Sequence, residues 1–279
     1  MLGSKFISSA KTVSLILVII LIIILAFAKN NQAIMRVMVG QEINLRTAGF
    51  NEVQTDNFVI KYTSKDEEYI NTVVSAAEQS FTEVTELFGY TPVNKTTVVI
   101  YPDTASLAKS FGWDKDEKAM GVYWGGSIRI LSPSEWVRGN VENEFYKEGP
   151  MVHEFTHLIV DDLTKGNYNR WWTEGIAQYV EKKITGFQFA SPFTDGKLIE
   201  YYNINELEKE FDQLDQQRVY WQSLKMVEYI VENYGEESLF LILDNLGQGN
   251  NMSKALEKAL VVSYDTFVND FYTDLEINN

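Results

Sequence analysis

The chain is 279 residues long, carries a formal net charge of −15 from 24 basic and 39 acidic side chains, and contains two histidines and no cysteine. The missing thiol excludes disulfide scaffolds and thiolate-ligated metal sites, and a chain of this length buries enough core without them. Residues 1–50 hold five Lys/Arg and one Glu, which leaves 24 − 5 = 19 basic and 39 − 1 = 38 acidic groups, a net of −19, in residues 51–279; such a surface repels phosphate and argues against nucleic acid as a partner.

Residues 1–11 form a short tail containing Lys5 and Lys11. Residues 12–28 are almost wholly apolar, with no charge and no amphipathic period, at the short limit of a membrane span. They are read as an uncleaved signal anchor: one N-terminal transmembrane helix, with the tail in the cytoplasm and the bulk of the chain outside the cell. Ala26-Phe27-Ala28 also fits an A-x-A cleavage site, so secretion after removal of a signal peptide near Ala28 is the alternative. Residues 29–56 follow as a juxtamembrane linker. In it, Ile34, Val37, Met38 and Ile43 can form a short amphipathic helix, resting on the bilayer or on the domain.

A globular pattern runs over residues 57–279. Residues 58–62 and 96–101 are β-branched and aromatic runs of strand length. Between them, residues 66–88 place Ile70, Val73, Val74, Ala77, Phe81, Val84 and Phe88 at helical spacing, closed by Gly89. A further short helix is expected over 106–111. At 121–131, two β-rich runs flank Gly125-Gly126, which signals a hairpin.

Both histidines fall in one string, His153-Glu154-Phe155-Thr156-His157, the H-E-x-x-H pattern of zinc metallopeptidases. Gly149-Pro150 opens a helix here, because proline suits a first turn whose N–H lacks an intrahelical partner. Met151, Phe155, Leu158 and Ile159 form its apolar stripe. Positions i and i+4 share a face, so His153 and His157 can grip one metal ion at the edge of that stripe. A catalytic zinc site usually offers three protein ligands. With no cysteine and no third histidine, the third must be Asp or Glu. The nearest good candidate is Glu174, on a second helix over 171–181 that follows a polar turn at 161–170.

The motif followed by Trp171, Glu174, Gly175, Ala177 and Tyr179 resembles the gluzincin metallopeptidases, most closely the peptidase MA-like domains. The match is tight over 153–181 and looser from about 57 to 272. The resemblance implies an α+β fold, with a small mixed sheet and edge hairpin followed by a helical zincin (thermolysin-like) catalytic half. It implies one Zn2+ ion held by His153, His157 and Glu174, with Glu154 as general base for hydrolysis of a peptide or protein substrate. In several gluzincins an acidic residue one turn after the glutamate ligand orients a histidine. That position here is Gln178, and Asp161, one turn after His157, is a second candidate for this task. Tyr220 sits at the start of a later helix, where gluzincins often place a Tyr or His, and is the candidate donor to a developing oxyanion. Tyr220, Leu224, Val227 and Val231 are also spaced as an ordinary apolar face. In such folds an edge strand before the motif helix binds the substrate backbone by strand addition. The hairpin supplies it near Tyr123 or across 128–131, with Arg129 and Ile130 as candidates.

Related chemistries fall away. Peptide deformylase shares the five residues but takes a cysteine ligand, nucleobase deaminases need paired cysteines, and a metzincin would show a third histidine at the position of Leu163. After an irregular stretch at 186–197, helices over 217–234, 236–246, 252–260 and 264–275 complete the chain. The sequence reads as a membrane-anchored, extracytoplasmic zinc metallopeptidase. A non-catalytic surface binding or scaffold protein on the same fold, and a zinc amidase acting on cell-wall peptides, are the alternatives.

Overall fold

Five strands form one mixed sheet in the spatial order β1-β2-β3-β5-β4: β1 (Asn51–Gln54), β2 (Phe58–Tyr62), β3 (Thr96–Tyr101), β4 (Gly121–Trp124) and β5 (Ser127–Leu131). β2, β3 and β5 are parallel, and β1 and β4 run antiparallel on the two edges. The computed structural model describes residues 31–114, 119–192 and 200–278. β3 and β5 are covered on both faces, and the central β3 reads as an apolar run where β2 alternates between buried and half-buried residues. Phe58, Ile60, Val98, Ile100, Ile128 and Ile130 enter the main core. Val99, Tyr101 and Leu131 point the other way, against Val39 and Ile43 of α1 (Asn31–Arg46) and Leu107 of α3 (Thr104–Phe111). Between these two helices in the chain lies α2 (Ile70–Phe88), which ends where Gly89 takes a left-handed φ of 59°.

The second half is helical: α4 (Pro133–Trp136), α5 (Val141–Glu148), α6 (Met151–Thr164), α7 (Arg170–Thr185), α8 (Ile204–Lys209), α9 (Gln216–Tyr234), α10 (Glu237–Gly247), α11 (Met252–Leu260) and α12 (Tyr264–Asn278). α6 is the spine. It packs on α2, α7 and α10, and residues 151–161 are all buried. Phe155 sets its rotation, lying 5.7 Å from the Phe58 ring and 5.4 Å from that of Phe81. Burying such a side chain is worth about 1.5–3 kcal/mol, against about 1 kcal/mol net for a hydrogen bond. The apolar stripe therefore dictates how the helix turns, and it leaves His153, Glu154 and His157 facing α7 and β4. α7 is anchored by the fully buried Trp171 and Trp172. Gly175 lets α9 approach it, since a Cβ there would lie 2.5 Å from the Ser223 carbonyl oxygen.

Strands 58–62 and 96–101 occur where the sequence predicts them, and the carboxyl-terminal helices lie close to their expected bounds. Two readings need correction. Residues 31–56 are not a linker. α1 packs Val39 and Ile43 on the sheet and β1 pairs with β2, although Val37, Met38 and Leu45 stay exposed. Within the hairpin the free edge is β4, not β5. β5 is paired with β3 on one side and β4 on the other, so Arg129 and Ile130 have no backbone edge to offer a substrate. Ile130 lies in the core, and the buried Arg129 side chain pairs with Glu42 at 2.6 Å and the Ser110 carbonyl at 2.9 Å. The tail at 1–11 and the membrane helix expected at 12–28 lie outside the described residues. Among the described residues, no helix is long and apolar enough to cross a membrane.

Candidate active site

α6 ends at Lys165, in a left-handed conformation, and a short turn leads into α7. This brings Glu174 to the histidine pair. Its Oε2 lies 3.3 Å from Nε2 of His153 and 3.4 Å from Nε2 of His157. All three residues are buried, and their ligand atoms lie within 4.8 Å of one another. Two ligands of a tetrahedral zinc ion, with bonds of about 2.0–2.1 Å, stand about 3.3–3.4 Å apart, which the two separations from Glu174 match. The far ring nitrogens fit it too. Nδ1 of His157 faces the Thr173 hydroxyl at 2.6 Å, and Nδ1 of His153 faces Glu181 Oε2 at 3.3 Å. With each Nδ1–H donating outward, both rings turn an Nε2 lone pair to the same point.

The electrostatics divide the carboxylates. Burial opposes charge on His153, but Glu174 and Glu181 outweigh it and hold its pKa well above the usual histidine value. Burial also opposes charge on Glu174, yet the two histidines bring its pKa well below the ordinary carboxylate range. Glu154 goes the other way: burial raises its pKa against the pull of His153 and His157. Glu174 is thus set as an anion, and Glu154 is set nearer to exchanging a proton.

Glu154 stands outside the ligand set. Its Oε2 accepts a hydrogen bond from the Tyr123 backbone N–H at 2.6 Å. In the β4–β5 ladder Trp124 faces Ser127 across the two-residue turn, and hydrogen-bonded pairs then alternate along an antiparallel ladder. Gly121 and Tyr123 therefore turn their backbone groups away from β5, toward the free edge. Gly121 is the point of closest approach: a Cβ there would lie 2.5 Å from Pro150 Cβ and 2.8 Å from Glu154 Cγ. On the opposite wall, Arg170 Nε donates to Glu174 Oε1 at 2.8 Å. Its guanidinium also interacts electrostatically with the Tyr220 hydroxyl. Burial, with Glu174 nearby, raises the Tyr220 pKa, so the phenol remains a proton donor at neutral pH.

His153, Glu154, His157, Glu174, Tyr123 and Tyr220 are therefore brought together, and Asp161 and Gln178 are not part of the group. Gln178 Nε2 donates to the carbonyls of Glu174, at 3.1 Å, and Tyr220, at 2.9 Å, tying α7 to α9 instead of reaching a histidine. Asp161 accepts from the Tyr123 hydroxyl at 2.7 Å and pairs with Arg36 at 2.5 Å. The partners of the histidines come from α7. Glu181 follows Glu174 by two helical turns, so it shares that face, and this spacing was a usable signal. Arg170 precedes Glu174 by one turn, which an i,i+4 charge rule would also find. Thr173 carries no sequence signal.

Two imidazoles from one helix and a carboxylate from the next, with a further glutamate held against an edge strand, form a two-histidine, one-carboxylate group that could hold one metal ion on an α+β fold. The sequence model of the peptidase MA superfamily matches residues 76–273. That is well over half of the chain, and the chain belongs to this superfamily. No curated protein matches it. Among solved structures the chain is similar to a mutant of an M1 zinc metallopeptidase from Deinococcus radiodurans, with 13% sequence identity and a TM-score of 0.48. The similarity covers 79% of this chain and 50% of that one, so the chain spans about half the length of that protein.

Proposed function

We propose that the protein is a zinc metallopeptidase that hydrolyses peptide bonds, carried on the outer side of a membrane by an uncleaved anchor at residues 12–28. The observation that carries the catalytic part is the convergence of both Nε2 atoms on one oxygen of Glu174, at 3.3 and 3.4 Å, with Glu154 beside the ligands but not among them. The location is supported by the uninterrupted apolar run at 12–28.

Zinc held by His153, His157 and Glu174 would supply a Lewis acid that acidifies a water and polarises the scissile carbonyl. The chain's own groups do the rest. An extended substrate adds alongside β4 and pairs with outward backbone groups of that strand, while the Tyr123 N–H keeps Glu154 under the scissile bond. As the water oxygen bonds to the carbonyl carbon, Glu154 accepts the water proton. It returns that proton to the amine nitrogen as the C–N bond breaks. A raised pKa serves both halves of the cycle, since a group that takes and then gives a proton works best near the ambient pH. Tyr220 and Arg170 donate to the oxygen on which negative charge develops.

Glu154→Gln is the test. The variant should keep one zinc per chain by metal analysis and lose all cleavage of an unstructured protein substrate. Undiminished turnover would refute the assigned base. A wild-type chain that binds zinc yet cleaves no member of a broad peptide library would favour the scaffold reading.

A further inference from the structure

α1 lies outside the span that matches the superfamily, yet it reaches the active site. The Arg36 guanidinium forks over two carboxylates of α6: Nη2 lies 2.5 Å from Asp161 Oδ2 and Nη1 lies 2.5 Å from Asp162 Oδ1. Nη2 also donates to the Tyr123 hydroxyl at 3.2 Å, and that hydroxyl donates to Asp161 at 2.7 Å. Gln32 adds donations to the Asp161 carboxylate at 2.8 Å and to its carbonyl at 2.7 Å. The two aspartate side chains are only 9% and 11% exposed. Adjacent carboxylates that deep need a cation, and α1 supplies it.

Tyr123 then joins this cluster to the catalytic machinery. Its side chain is held by Arg36 and Asp161, and its backbone N–H is the group that holds Glu154. The hairpin is shaped to receive the helix. A Cβ at Gly125 would lie 2.6 Å from Val39 Cγ2, and one at Gly126 would lie 3.0 Å from Arg36 Cγ. Side chains of α1 occupy the space over the turn.

We propose that Arg36 is a positioning residue for the active site: by clamping Asp161, Asp162 and the Tyr123 hydroxyl, α1 fixes the edge strand β4 in the place that keeps Glu154 aimed and the strand open to an extended peptide. The proposal rests on the peptidase reading for its kinetic consequence, but not for its structural one. The clamping residue Arg36 lies eight positions after the apolar run at 12–28 in the chain.

The test is Arg36→Ala in the full chain. Zinc stoichiometry should stay at the wild-type value, the Tyr123 amide should lose protection from hydrogen exchange, and kcat/KM should fall by about 10- to 100-fold, with much of the loss in KM. Arg36→Lys should recover only part, because an ammonium cannot fork over two carboxylates. Tyr123→Phe cuts the same chain of contacts at the hydroxyl, so the double variant should be little worse than either single one. A lowered melting temperature with unchanged exchange and unchanged KM would overturn the proposal, as would fully additive losses in the double variant. If the wild-type chain cleaves nothing, the peptidase reading has failed, and the exchange of the Tyr123 amide still decides whether Arg36 clamps the strand.

Discussion

One methyl group at Gly121 should disable the base without touching a metal ligand. Gly121 is not among the positive-φ residues, so alanine is conformationally acceptable there and any effect is steric. The added carbon would lie 2.5 Å from Pro150 Cβ, 2.8 Å from Glu154 Cγ and 2.9 Å from Glu154 Oε1. Those separations fall short of the 3.4 Å lower bound of ordinary contact by 0.9, 0.6 and 0.5 Å. Pro150 sits at the start of α6 with its φ fixed by the ring and yields little. β4 must lift or Glu154 must swing. Overpacking of this size costs about 1–3 kcal/mol of stability. A displacement approaching 1 Å at the reacting groups costs about 100-fold in rate. Glu174 and His157, the proposed metal ligands, are not among the atoms nearest the added carbon, so zinc content should match the wild type. The assays are metal analysis, a thermal melt and hydrolysis of a peptide substrate by Gly121→Ala. A variant with wild-type kcat/KM would refute the argument that this glycine sets the position of Glu154. A variant that loses its zinc would show that the damage is not confined to the base.

Two further substitutions probe the other walls. Glu181→Gln removes the anionic partner of His153 Nδ1 and should weaken zinc binding by about 10- to 100-fold, read by competition with a chromophoric chelator; an unchanged affinity would remove Glu181 from the site. Tyr220→Phe should lower kcat by about 100- to 1000-fold with little change in KM or metal content, whereas unchanged kcat would mean that Tyr220 serves only to pack on Phe211, 5.7 Å away between ring centres.

The parts of this site that were legible in the sequence are those fixed by local geometry. The spacing of His153 and His157 follows from the helical repeat, and the short turn before α7 restricts which carboxylate can join them. The hairpin was equally legible, but which arm formed the edge was not. That depends on β5 pairing with β3, a contact between segments such as Thr97 and Ser127 that no local pattern encodes. α1 shows the same divide. Its apolar face was readable, but the partner of Arg36 lies 125 residues away. β1 is a polar, mostly exposed strand with only Val53 partly buried, so it has no alternation to detect. α8 was not read from the sequence, although the capping box between Asn203 and Glu206 that opens it was a signal available there.

α6 carries three tasks on one cylinder, and the charge around it follows from that division. The Phe155 side fixes the helix against the sheet. The His153 and His157 side holds the candidate metal site. One turn later, Asp161 and Asp162 bind the amino-terminal helix. Buried carboxylates at such density would repel one another unless each were matched. The matching comes from both ends: Arg170 on Glu174 at 2.8 Å, and Arg36 on the aspartates at 2.5 Å. Among the described residues Glu154 has no guanidinium partner and accepts instead from a backbone N–H at 2.6 Å. An arginine there would hold the carboxylate ionised and make it a poor proton carrier. A neutral amide orients it and lowers its pKa by less than burial raises it. Both glutamates feel the two histidines, but burial prevails at Glu154, the proposed base, while the imidazoles prevail at Glu174, the proposed ligand.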